Sequence, residues 1–93
     1  KIRRKPNYIR VNKYITYSTA QCPNNGSFDY YKIILKSKQT IQVEEINGFL
    51  KSFDEFVFQE SLADKLSEAF PAEIKIIGYH QGIKIISRRN KIN

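Results

Sequence analysis

The chain is poor in the residues that build covalent or metal-held frameworks: of its 93 residues, one is cysteine and one is histidine. A lone cysteine excludes an internal disulfide, and with a single histidine it leaves too few soft ligands for a zinc site. Long apolar runs are also missing. None approaches the roughly 18 residues that suggest a membrane span, and nothing resembles a signal peptide, so a cytoplasmic protein with no membrane partner is expected. There is no glycine-rich phosphate loop, which removes the ordinary dinucleotide and nucleotide-triphosphate signatures. Internal repeats and low-complexity segments are absent. These absences leave one thiol, Cys22, that is either a small buried hydrophobe or a reagent.

Ninety-three residues with 41% hydrophobic content predict one domain over 1–93, near the lower limit at which a single core suffices. A chain this short often finishes burying its surface against copies of itself. Its net charge is +7, and the excess sits at the two ends, in Lys1, Arg3, Arg4 and Lys5 and in Arg88, Arg89 and Lys91. The residues between hold as many acids as bases, so the body is neutral by composition. Basic tails on a neutral body suit a salt-sensitive contact with a phosphate backbone, or serve only as solubilising ends.

Hydrophobic periodicity predicts six elements. Tyr8 to Ser18 alternates, with Ile9, Val11, Ile15 and Tyr17 on one side, which is the period of a half-buried strand. Thr19 to Ser27 is rich in Pro, Asn, Gly and Ser and reads as a loop carrying Cys22. Alternation resumes from Asp29 to Lys36 with Tyr31, Ile33 and Leu35 together. Beyond a candidate cap at Thr40, helical spacing links Val43, Ile46, Phe49, Leu50 and Phe53, with Glu44 and Glu45 in the first turn. A second helix is predicted from about Phe58 to Phe70, with Glu60 early and Pro71 as its stop. Ile74, Ile76 and Gly78, a tight turn at His80-Gln81-Gly82, then Ile83 and Ile85 complete a hairpin. The order β-β-α-α-β-β implies an α+β fold: a four-stranded antiparallel sheet with two helices on one face. Ile34, Ile77 and Ile86 fall on the other side of their strands, which points to some covering of that face as well.

For chemistry, the stretch Ala20 to Asp29 matters most. Turn formers flank Cys22, and Asp29 opens the next strand, so a loop folding back over seven residues can bring thiol and carboxyl together. A carboxylate is a poor partner for making a thiolate. Held protonated, however, it can hand its proton to an atom that gains charge as sulfur attacks, which favours addition to a multiple bond over peptide hydrolysis. Glu60 reads either as an exposed first-turn acid or as an acceptor for adjacent N–H groups on a guanine-like edge.

Cys22-Pro23 followed by Asp29, Val43-Glu44 opening one helix and Gln59-Glu60 opening the next resembles, in order and spacing, the nitrile-handling branch of the tunnelling fold. That branch contains the QueF reductases and the QueF-like amidinotransferases. The resemblance runs from about Cys22 to Ser87. It implies that Cys22 attacks the nitrile of 7-cyano-7-deazaguanine to form a thioimide, that Asp29 is the general acid/base, and that Glu60 anchors the base. Gln59 and Glu44 join the implied substrate-binding set. Where the reductases carry Lys and Ser for NADPH, this chain has Glu45, Ile46, Asn47 and Gly48, so no cofactor is implied and ammonia is the co-substrate. The implied activity is that of an archaeosine synthase, acting on tRNA that carries 7-cyano-7-deazaguanine. The implied tRNA contacts are Lys1, Arg3, Arg4, Lys5, Arg88, Arg89 and Lys91. The family commonly has His-Glu at the Gln59-Glu60 position, and glutamine can hydrogen-bond a base but cannot carry a proton. Pockets between subunits imply a homo-oligomeric ring, alone or as two stacked pentamers. Three alternatives stay open: an NADPH-dependent nitrile reductase, a non-catalytic tRNA or nucleobase-binding module on the same fold, and a nucleic-acid chaperone acting through its tails.

Overall fold

Two antiparallel hairpins, linked by a pair of helices, lie side by side in one sheet. A computed structural model of the chain describes residues 10–21, 28–52 and 58–90, with the backbone alone for 20, 21, 28 and 29. The elements are β1 (Asn12–Gln21), β2 (Phe28–Ser37), α1 (Val43–Lys51), α2 (Gln59–Ala69), β3 (Glu73–His80) and β4 (Ile83–Arg89). The strands form one four-stranded sheet in the order β1-β2-β3-β4, antiparallel throughout, so β1 and β4 are its edges. The expected order and sheet are both present.

Register decides which side of each strand meets the helices. Ile33 and Leu35 of β2 pair with Ile76 and Ile74 of β3, and all four are buried. Over them lie Leu62, Ala63 and Leu66 of α2, Ile46 of α1, and Phe70, which meets Phe49 edge to face at 5.4 Å. Burying these branched side chains is the main stabilising term, each contributing about 1.5–3 kcal/mol. On the edge strand β1 the outcome reverses the sequence reading. Tyr14 and Thr16 pair with Leu35 and Ile33 and so share the helix side, while Ile15 and Tyr17 lie on the uncovered side and are exposed. Alternation shows which residues share a side. Only the pairing with β2 shows which side is the core.

Three further expectations are corrected. Thr40 does not cap α1: its N-cap is Gln42, whose carbonyl accepts from the N–H groups of Glu45 and Ile46, with no side-chain cap. Val43 is 58% exposed and adds little to the core. Arg88 and Arg89 belong to β4 rather than to a tail. Phe53 lies outside the described residues.

The β3–β4 hairpin turns through Gln81 (φ 50°) and Gly82 (φ 79°), both in the left-handed region that a two-residue turn of this type requires. Glycine adopts it freely, and glutamine does so at a cost of roughly 1 kcal/mol. Gln81→Asn, the residue that best tolerates this backbone ahead of glycine, is expected to raise stability by about 0.5–1 kcal/mol. Thermal melts of the two proteins check it; an unchanged or lowered midpoint counts against this account of the turn.

Candidate functional site

One end of the sheet brings together Gln59, Glu60 and the backbone of Asp29. There β1 ends at Gln21 and β2 begins at Phe28, with the Asp29 backbone paired to Ala20. Cys22 falls between them, in 22–27, outside the described residues, and nothing is described of the Asp29 side chain. Two residues along β2 from Asp29, Tyr31 pairs with Gly78 of β3. Directly above that pair sits Gln59, the first residue of α2.

Gln59 fastens α2 to the sheet. Its Nε2 donates to the carbonyl of Ile76 (3.1 Å), the carbonyl of Ile85 (3.0 Å) and Oγ of Ser87 (3.1 Å), reaching both β3 and β4. Its Oε1 lies over Gly78. A Cβ at that position would overlap this oxygen and stand 2.7 Å from Cδ1 of Tyr31. The glycine is therefore required by close approach: a strand without a side chain lets the helix start sit on the sheet. The donor group of Gln59 is thus engaged with the protein.

Glu60 follows in the first turn of α2 and is exposed. The N-cap, Phe58, makes no side-chain cap, and Glu60 is the acid of the first turn, where the helix dipole favours a carboxylate. His80, expected in the tight turn, is instead the last residue of β3 and half-buried.

Glu44 lies elsewhere. The Ile41 N–H donates to the Tyr14 hydroxyl (2.9 Å), which ties the approach to α1 to the part of the sheet where Tyr14 faces Leu35. Leu35 and Asp29 are separated by roughly 20 Å of β2. From there α1 runs toward the Asp29 end, bringing Leu50 beside Ser18 and Tyr31. The second helix runs back, and the Pro71 carbonyl beyond it accepts from Ser37 Oγ at 2.6 Å. Because the helices run in opposite senses along the sheet, Gln59 and Glu60 begin at the Asp29 end and Glu44 does not.

A cleft of about 760 Å³ adjoins that end. On the helix side Leu50 and Asn47 of α1 line it with Ser18 and Tyr31, and on the opposite face of the sheet Tyr30 lines it with Tyr79.

The two arginines of β4 separate to opposite faces. Arg89 donates from Nε to Asp64 of α2 at 2.6 Å, with the two side chains 30% and 60% exposed, a pair that contributes up to about 1 kcal/mol. Arg88 projects from the face without helices. Lys1, Arg3, Arg4, Lys5 and Lys91 lie outside the described residues. Among the described residues, no group of three metal-ligating side chains is present, and no helix is long and apolar enough to cross a membrane.

No family model matches the sequence, and no curated protein matches it. Among solved structures, the crystal structure of the archaeosine synthase QueF-Like in the apo form is similar to this chain. The match covers 89% of this chain and 96% of that one, with a TM-score of 0.64 at 16% identity. A likeness at that identity concerns the fold: the chain has the β-β-α-α-β-β arrangement of a four-stranded antiparallel sheet and two helices that the tunnelling fold carries.

Proposed function

We propose that the protein is a tRNA-modifying amidinotransferase that converts the nitrile of 7-cyano-7-deazaguanosine to the formamidine of archaeosine. The observation that carries the reading is the meeting, at one end of the sheet, of the Asp29 backbone, both strand ends that flank Cys22, and the Gln59-Glu60 start of α2. The fold shared with an archaeosine synthase supports it.

The chemistry is short. The Cys22 thiolate adds to the nitrile carbon while Asp29 protonates the nitrogen, giving a thioimide. Ammonia then adds to the same carbon, and Asp29 relays protons as the tetrahedral adduct expels the sulfur. The product is the amidine and the thiolate returns, so one ammonia is gained and no electrons are transferred. Glu60 accepts hydrogen bonds from the N–H groups of the base edge, with Gln59 Oε1 as a second acceptor.

Glu44 can join such a site only from a neighbouring chain. Both sheet edges are available for this: among the described residues no strand pairs with the outer side of β1 or of β4, and Ile83 and Ile85 on β4 are 66% and 39% exposed. Pairing β1 of one copy with β4 of the next would build a ring in which each pocket draws on two chains, over a single domain spanning 1–93.

The test offers the protein the nitrile nucleoside in tRNA with ammonium, and separately with NADPH. Mass analysis of the digested RNA is expected to show the gain of one ammonia in the first case and no reaction in the second. A gain of four hydrogens with NADPH would make the chain a reductase.

A further inference from the structure

The neutral body of the composition conceals a strong separation of charge. On the sheet face without helices, the register gathers Lys13, Lys32, Lys36, Lys75, Lys84 and Arg88, with Glu73 as the one acid among the described side chains there. The helices hold the opposite sign: Glu44, Glu45, Glu60, Asp64 and Glu68 against Lys51 and Lys65. Lys75 stands directly across from Arg88, and Lys13 from Lys36. Like charges in opposed positions destabilise a sheet, so folding alone does not account for them. The same face presents three tyrosines toward one end. Tyr17 and Tyr30 are 71% and 73% exposed on neighbouring strands, and Tyr79 follows on β3.

We infer that this open face binds single-stranded RNA, with the bases stacked on the tyrosines and the phosphates tracked by the lysines. Charge complementarity selects a polyanion and disfavours a second copy of the same face, which would set cations against cations. The flat sheet with aromatics on adjacent strands selects unpaired bases, because each base offers a π-face and a duplex hides it. Ile15, Ile34, Ile77 and Ile86 share this face between the cations, and the three tyrosines continue that apolar strip toward the end of the sheet. The inference goes beyond the nitrile chemistry, since none of these residues acts on the reacting carbon.

Fluorescence anisotropy with a labelled, mixed-sequence single-stranded RNA of about a dozen nucleotides tests it, since that length spans one such surface. The full chain is expected to bind with a log–log salt slope of about −3.5 to −4.2, set by about five or six phosphates at ~0.7 each. Lys32→Glu with Lys75→Glu should weaken binding at least about ten-fold and flatten the slope by about 1 or more. Tyr17→Ala with Tyr30→Ala should weaken it at least about five-fold at an unchanged slope. Cys22→Ala should bind as the unaltered chain does, which separates this result from the fate of the catalytic reading. Unchanged melting curves exclude misfolding, and any variant that does not fold is replaced by Lys84→Glu with Arg88→Glu at the exposed edge. The inference is overturned if the face variants bind normally, or if Arg3→Glu with Arg4→Glu alone removes binding. It is equally overturned if phosphatidylserine vesicles, and not RNA, bind with the same dependence on these residues, or if the face variants disrupt an oligomer that the unaltered chain forms.

Discussion

Gly78→Ala is expected to destabilise the protein by about 2–4 kcal/mol, a large fraction of what a domain of this size has to lose. The new methyl group would meet Gln59 Oε1 and the ring of Tyr31, the latter at 2.7 Å. Neither neighbour can yield without loss. Moving Gln59 gives up its three contacts with Ile76, Ile85 and Ser87, and moving Tyr31 disturbs a residue that is 4% exposed within the core. For a chain this short the midpoint should fall by roughly 10–20 °C. Gln59→Ala alone should cost about 1–2 kcal/mol. The two changes together should cost less than their sum by about 1 kcal/mol, because removing the amide makes room for the methyl. A fully additive pair, or a Gly78→Ala protein as stable as its parent, would mean that α2 does not start against the sheet at this point.

The second large effect concerns chemistry. Cys22→Ala is expected to remove turnover of the nitrile by at least ~10³-fold, since no other thiol exists in the chain. Asp29→Asn keeps the shape of the side chain and removes the proton it would supply, so thioimide formation should slow by about 10²–10⁴-fold while the base still binds. Single-turnover kinetics separates the two. If Asp29→Asn forms the adduct at the parental rate, proton transfer comes from another group and the paired roles fail.

The central part of the fold was legible because its signal is local. Ile33, Leu35, Ile74 and Ile76 alternate without interruption, and the positions they predict for the core are the buried ones. At β1 the same rule gave the grouping and not the direction. Its apolar set, Ile15 and Tyr17, is on the open face, whereas a polar-looking set led by Tyr14 is held against the helices through contacts far away in the chain. Val43 misled for a related reason: helical spacing includes it, but α1 buries only Ile46 fully.

The separation between Glu44 and Glu60 shows where reading along the chain stops. Each is an acid in the first turn of a helix, and in sequence they look equivalent. Their distance in space follows from the opposite senses in which the two helices cross the sheet, a property of tertiary packing. Charge behaves likewise. Acids and bases between the two ends balance in number, yet strand register sends the bases to one face and helix placement sends the acids to the other. Gln59 was singled out for a ligand, and its anchoring of α2 could have been suspected from Gly78, whose lack of a side chain in a central strand calls for a close neighbour.

Intact mass spectrometry after incubation with free 7-cyano-7-deazaguanine asks the decisive question of the whole account. The protein is expected to gain the mass of one base, with no atoms lost, and the Cys22→Ala protein is expected to gain nothing. A chain that binds the base yet keeps its original mass, or an adduct that survives the loss of Cys22, would contradict it.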